Sequence, residues 1–245
     1  MKLTEQTVLI TGATSGIGLA LAARLYEMKN TVIISGRKQE RLDEIAAHYP
    51  RMDTFCCDLQ QEDGRVALAG WAINRYPKLN ILINNAGLMK VSDFTAEVPF
   101  EKIAEEITVN LLTPVHFASL FTEHLQQQEN AAVVNVTSGL AYTPLATVPV
   151  YCATKAALHS FTYSLRHQLR ETSVKVFEII PPAVATDLGK SDGYEQNRSM
   201  AMKLEDFTND CIHRLENDEY ELGIGMAEKL QAEREGLFQM LNPDS

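Results

Sequence analysis

The sequence predicts an α/β fold, a doubly wound parallel sheet in three layers that forms a single domain over residues 1–245. Three observations point to it. Short β-rich apolar runs alternate with helical patterns from one end of the chain to the other. The runs are continuously apolar, as strands covered on both faces are. A glycine-rich turn joins the first run to the first helix. The size agrees, because 245 residues with 45% apolar and 22% charged side chains bury about 70–75% of the unfolded surface, enough for one core without disulfides or metals.

The elements follow in order. Thr7–Thr11 reads as a strand and Leu19–Met28 as a helix; Thr31–Ser35 and Arg37–Tyr49 repeat the pair, as do Thr54–Cys57 and Gln60–Tyr76. A fourth strand at Asn80–Ile83 precedes a long stretch with a helix around Phe100–Gln126. Ala131–Val136, a helix around Tyr151–Arg170 and Val174–Ile180 continue the alternation. After Ile180 the pattern loosens into PPAVATDLGKSDGYEQNRSM, so that about residues 183–215 are expected to hold a mobile segment over a site. A helix near Lys203–Asn217, a strand near Glu219–Gly223 and a helix near Met226–Leu241 close the chain.

The net charge of −10 leaves no basic excess for nucleic acid or an anionic membrane surface. No apolar run approaches the roughly 20 residues of a membrane span, and the N-terminus lacks the pattern of a secretory signal. Cys56, Cys57, Cys152 and Cys211 show neither CxxC nor zinc-site spacing, so free thiols, no metal and a cytoplasmic location are expected.

The first strand runs into Thr11-Gly12-Ala13-Thr14-Ser15-Gly16-Ile17-Gly18 and then directly into a helix. Such a turn brings backbone N–H groups to a pyrophosphate, whose charge the helix dipole favours. A glycine turn alone has steric explanations. Between the first strand and first helix of an alternating chain it points to a dinucleotide, held by Gly12, Thr14, Ser15, Gly16, Ile17 and Gly18. About 20 residues further on, a carboxylate would accept the ribose 2′-OH of NAD. The second strand instead ends Ser35-Gly36-Arg37-Lys38. Arg37 and Lys38 suit a 2′-phosphate, so NADP (NADPH) is the expected cofactor and NAD the weaker candidate.

Tyr151 is the one tyrosine with a lysine four residues on, Lys155, which puts both on one helix face. An ammonium beside a phenol stabilises the phenolate, so the Tyr151 pKa is expected to fall toward neutrality. Ser138 follows the run Ala131–Val136, at the strand edge where ligands bind in parallel sheets. Asn84-Asn85-Ala86-Gly87 ends the fourth strand on that same edge, and Asn110 interrupts an apolar helical run. If buried, its amide needs a partner.

Together these residues resemble the short-chain dehydrogenase/reductase family over nearly the whole chain. The shared motifs are TGxxxGxG at Thr11–Gly18, Asp58-Leu59, NNAG at Asn84–Gly87, Asn110, Ser138 and YxxxK at Tyr151 and Lys155. The resemblance implies a Rossmann fold, with Tyr151 as general acid in carbonyl reduction and base in alcohol oxidation. Lys155 would hold the nicotinamide ribose and the tyrosine pKa, Ser138 would donate to the substrate oxygen, and Asn110 would hold a water in a proton relay. Asp58, beside Leu59, would contact the adenine, and Asn85, Ala86 and Gly87 would line the ribose and nicotinamide side. Pro181, Val184 and Thr186 match a segment that binds the carboxamide, with Pro182 in place of its usual glycine. The end of the chain and PPAVATDL are similar to bacterial oxidoreductases of the DltE type.

Gly139, Leu140, Tyr142, Val148, Pro182, Ala183 and Leu188 are expected to face the substrate, from their neighbourhood to Tyr151. They are mostly apolar, which suits a small or medium aldehyde, ketone or secondary alcohol. Lys190 and Arg198 could close over an anion, against the plainer reading that they are solvated loop charges. The two long helices carry apolar residues beyond one stripe, so at least a homodimer is expected, with a tetramer left open. The competing reading is a catalytically silent NADP(H)-sensing protein. Nucleotide-sugar epimerases would need a larger substrate domain than the chain after Ile180 can build.

Overall fold

The structure, a computed structural model, describes residues 1–194 and 201–243. Its alternation starts with β1 (Thr7–Ile10), α1 (Gly16–Glu27), β2 (Thr31–Gly36), α2 (Gln39–His48), β3 (Met52–Cys56), α3 (Glu62–Arg75) and β4 (Ile81–Asn84). Then come α4 (Phe100–Ile107) and α5 (Thr113–Gln126), which flank a π-helical turn at Thr108–Leu112. β5 (Ala132–Val136), α6 (Pro149–Gln168) and β6 (Lys175–Ile180) follow. The chain closes with α7 (Leu204–Glu216), β7 (Glu221–Gly223), α8 (Met226–Glu233), a 3-10 turn (Arg234–Leu237) and α9 (Phe238–Leu241).

Seven parallel strands form one sheet in the order β3-β2-β1-β4-β5-β6-β7. The reason is visible strand by strand. All residues of β4 and β5 are buried, and such strands are stable only with helices over both faces. Side chains alternate between the faces. Val8 and Ile10 pack with Leu21 and Leu25 of α1 and Phe207 and Ile212 of α7. Leu9 packs on the opposite face, with Leu68 of α3, Phe117 and Phe121 of α5 and Leu165 of α6.

Ile10 lies between Ile34 and Ile83 in the register, and Val136 beside Ile179, so the carboxyl ends of the central strands form one edge. The strand order reverses between β1 and β4. That switch point opens a crevice above the edge, where ligands bind in open α/β sheets.

The strands expected from sequence lie within two residues of those found. The helical stretches hold two differences. Phe100–Gln126 is broken by the π-turn, and Met226–Leu241 is broken at Arg234, whose φ of +50° ends α8. The expected mobile segment, 183–215, also divides. Its last part is α7, whose Phe207, Cys211 and Leu215 lie in the core, so α7 is part of the scaffold. Ala183 and Ala185 pair with Met202 through backbone hydrogen bonds of 2.8 and 3.0 Å. Arg198 lies outside the described residues. Among the described residues no helix is long and apolar enough to cross a membrane.

Candidate active site

A cavity of about 940 Å³ opens above the carboxyl edge, between the glycine turn and the segment after β6. Gly12, Ser15, Gly16, Ile17 and Gly18 form one side of it. α1 starts there with no side-chain cap and no acidic residue in its first turn. The N–H groups of that turn therefore face the cavity without a side-chain acceptor from the cap residue. Gly12 has a φ of +63°, and a Cβ on it would come within 2.6 Å of Ala86 Cα, so no larger residue fits there. Asn85 pins the turn by donating from Nδ2 to the carbonyl oxygens of Thr11 (2.9 Å) and Gly12 (3.2 Å).

Tyr151 and Lys155 lie one turn apart on α6, and the same cavity is lined by both and by Ser138. The Ser138 hydroxyl accepts the Leu140 N–H at 3.1 Å, and its influence on the Tyr151 phenol favours the phenolate. Lys155 is buried, donates from Nζ to Val136 O at 2.8 Å, and lies 5.6 Å from the Tyr151 ring centroid. Burial dominates the electrostatics of the pair. It pushes the phenol well above its ordinary pKa, outweighing Ser138, and brings Lys155 down to about 8. The expected lowering of the Tyr151 pKa by Lys155 is thus not found. The amine is spent on a backbone carbonyl, and desolvation of a fully enclosed phenol is the larger effect.

Asn110 sits in the π-turn, a distortion that recurs at functional sites. Its side chain is fully engaged: Oδ1 accepts Leu88 N–H (2.7 Å), and Nδ2 donates to Leu88 O (2.8 Å) and Thr154 Oγ1 (3.1 Å). The amide therefore clamps the loop after β4. One turn earlier, Glu106 accepts the Lys90 N–H through Oε1 at 3.1 Å, while its buried Oε2 has no hydrogen-bond partner among the described residues. Burial pushes the Glu106 carboxyl up to about 7 against the Lys90 N–H, which lowers it. Asn110 and Glu106, on one face of the α4 helix and its π-turn, hold the segment containing Leu88 and Met89, which forms part of the cavity wall.

The other expected contacts fall into two groups. Gly87, Gly139, Leu140, Pro181, Pro182, Ala183, Val184, Thr186 and Leu188 line the cavity with the groups above. Thr14, Arg37, Lys38, Asp58, Leu59 and Ala86 do not. Arg37 and Lys38 are exposed at the end of β2, and Asp58 accepts Gln60 N–H at 3.0 Å. Leu59 points into the core, and Ala86 supports Gly12 from behind. Two residues expected beside the substrate are elsewhere. Tyr142 lines a second, more open groove and its hydroxyl lies 3.0 Å from His159 Nδ1, because the 3-10 turn after Ser138 rotates it away. Val148 is fully buried against Tyr151, Cys152 and Met89.

Sequence reasoning missed Arg41, whose Nε donates to Thr14 O at 3.2 Å and adds a third cation at the end of the glycine turn. It also missed Met89, Leu145, Met202, Met226, Leu230, Met240 and Leu241 in the cavity wall. Only the three-dimensional fold brings these together.

The short chain dehydrogenase family profile matches residues 6–197. The uncharacterized oxidoreductase DltE of Bacillus subtilis (strain 168) is 45% identical over 250 residues, covering 99% of this chain and 98% of that one. The uncharacterized oxidoreductase YvrD of the same organism is 32% identical over 190 residues, 76% of this chain and 72% of its own. A short-chain dehydrogenase from Sphingobium yanoikuyae in complex with NADPH superposes with a TM-score of 0.84 at 25% identity, covering 98% and 96% of the two chains. One from Burkholderia phymatum in complex with NAD reaches 0.86 at 20% identity, covering 100% and 98%. With the family profile spanning most of the sequence and one relative aligned almost end to end, the chain belongs to the short-chain dehydrogenase family.

Proposed function

We propose that this oxidoreductase transfers a hydride between NADP(H) and a carbonyl or secondary alcohol of a mainly apolar substrate, with Tyr151 as general acid and base. One observation carries the reading: Ser138, Tyr151 and Lys155 stand together in the wall of the cavity that the glycine turn also lines. The cavity fits a dinucleotide, because the uncapped start of α1 presents donors and Gly12, Gly16 and Gly18 line it with bare backbone. Bound there, the nicotinamide ring supplies or takes the hydride.

The chain's own residues do the rest. Ser138 and Tyr151 offer hydroxyl donors to an oxygen on which negative charge develops. A phenol kept protonated by burial is loaded as an acid, the state that reduction requires, and its proton passes from Oη to the substrate oxygen. Lys155 carries its ammonium beside that phenol. Asn110, through Leu88, fixes the wall opposite. The segment Ala183–Tyr194, which lines much of the cavity and is tied by Val91 N–H to Asp192 O, acts as a lid.

NADP rather than NAD is supported by charge. Arg37, Lys38 and Arg41 stand at the end of β2 and the start of α2. NADPH is expected to bind more tightly than NADH, and Arg37→Glu to weaken NADPH by about 10–100-fold, since a hydrogen bond to a charged group contributes about 1.5–3 kcal/mol. Equal NADPH and NADH affinities by fluorescence titration would contradict the assignment. A homodimer is supported by Phe100, Ile107 and Leu112 along α4 and the π-turn and by Tyr163 on α6, all exposed. Sedimentation at micromolar concentration is expected to give twice the 27.3 kDa of one chain; a single-chain mass would refute it.

A further inference from the structure

The inner part of the cavity holds Ser138 and Tyr151, but its outer wall comes from the end of the chain. α8 packs directly on the turn after β5, so closely that a Cβ on Gly139 would lie 2.9 Å from Leu230 Cδ1 and 3.1 Å from Ala227 Cβ. Arg234 then adopts a φ of +50°, a conformation costly for a side chain of this size, and the chain doubles back through the 3-10 turn into α9. Three contacts latch the returning segment. Thr143 Oγ1 donates to Arg234 O at 2.7 Å, Asn242 Oδ1 accepts Ala146 N–H at 2.6 Å, and Asn242 Nδ2 donates to Pro144 O at 3.0 Å. Tyr142, turned away from the substrate, lies under the Arg234 guanidinium at 5.8 Å and supports this turn.

The latch brings Met240 and Leu241 to the cavity, where they join Met89, Met202, Met226 and Leu230. Four of these six are methionines, unbranched and adaptable side chains that fit flexible apolar ligands. The charges at the cavity are as informative. Among the described residues lining it, the one cation is Lys155, at the catalytic end, while Asp187 and Asp192 are carboxylates. Lys190, outside the lining, lies 3.8 Å from Asp187.

We infer that α9, latched by Asn242, is the outer wall of a substrate compartment that takes an uncharged, chain-like aliphatic carbonyl compound and turns away anionic ones. The inference rests on the proposed reductase reading and adds to it the substrate class and the segment that selects it. The chain of the substrate lies along the methionine wall with its carbonyl at Ser138 and Tyr151, and it contributes apolar contact for each methylene until it reaches α9.

Two measurements test it, one of which needs no turnover. With NADPH, kcat/KM for butanal, hexanal and octanal is expected to rise by up to about fourfold per methylene, the gain from burying a CH2. 8-Oxooctanoate, which carries a carboxylate at the far end, is expected to be poorer than octanal by about tenfold or more. In Asn242→Ala and in Met240→Ala the chain-length slope flattens, through KM more than kcat. Independently, butanamide and octanamide are titrated calorimetrically into the NADPH complex. Octanamide is expected to bind more tightly, with the difference shrinking in both variants, whose folding is checked by thermal melting.

Turnover that ignores chain length, or a slope unchanged in both variants, overturns the inference and leaves the reductase reading intact. Chain-length-dependent amide binding without turnover of any aldehyde keeps the compartment and removes the reductase reading. Failure of octanamide to bind more tightly than butanamide overturns the inference whatever the aldehydes do.

Discussion

Tyr151→Phe is expected to lower turnover of any carbonyl substrate by about 10²–10⁴-fold, the usual contribution of a positioned general acid, while NADPH binding stays within a few-fold. The phenol oxygen is the one atom removed. The ring remains packed on Val148, Cys152 and Met89, and the glycine turn that would hold the phosphates is untouched. Ser138→Ala removes the hydroxyl that favours the phenolate and one donor to the developing charge, so its loss should be smaller but in the same direction. The measurement is steady-state NADPH oxidation beside a fluorescence titration of the same samples. A variant that loses cofactor affinity as much as turnover would place Tyr151 in the scaffold rather than the chemistry.

Glu106→Gln is expected to raise thermal stability at pH 8 but much less at pH 5. The carboxyl titrates near 7 in the folded protein, against an ordinary value of 4.5, because burial penalises its charge. The folded state therefore binds more protons than the unfolded state between those two values. Stability is then lost as the pH rises from about 4.5 to 7, and the full penalty applies above that window. The size is on the order of 2–3 kcal/mol at pH 8, equivalent to several degrees in Tm for a chain of this length. Glutamine keeps an acceptor for the Lys90 N–H and removes the charge, so the Tm gain over wild type should grow from pH 5 to pH 8. An identical Tm difference at both values would show that Glu106 does not carry a raised pKa. The same substitution removes a negative charge that opposes ionisation of Tyr151 and supports that of Lys155.

Much of this fold is legible in the sequence for a physical reason. β4 and β5 are apolar in every position except their asparagines, and only a strand buried on both faces needs that. The catalytic edge is legible in part, because the glycine turn, Asn85–Gly87 and Ser138 each follow a strand, and in a parallel sheet the carboxyl ends converge. Ser138 and the glycine turn therefore come together without knowledge of the loops. What fails depends on side-chain direction. Tyr142 lies four residues after Ser138, yet one tight turn sends it to His159. Adjacency on α6 suggests that Lys155 governs the phenol, but burial and the carbonyl of Val136 prevail, and neither is encoded in the spacing. Asn110 is visible as a polar break in an apolar run. The π-turn that places it and the Leu88 backbone it clamps are not.

The outer wall is the least legible part. Met226–Leu241 reads as one amphipathic closing helix, and nothing local announces that Arg234 reverses the chain so that Met240 and Leu241 return to the cavity. The latch at Asn242 joins residues 96 and 98 positions apart in the chain, at Ala146 and Pro144. Contacts of that range depend on the finished sheet.

Isotope transfer shows whether this cavity brings a reduced nicotinamide to a carbonyl held by Ser138 and Tyr151. Wild-type protein is incubated with NADPH deuterated at C4, in each stereochemical form, and a panel of apolar aldehydes and ketones, and the alcohols are weighed by mass spectrometry. One deuterium is expected at the former carbonyl carbon from one of the two forms, and none with Tyr151→Phe over the same time. Tight NADPH binding with no deuterium in any product would contradict it and leave a nucleotide-binding protein without chemistry.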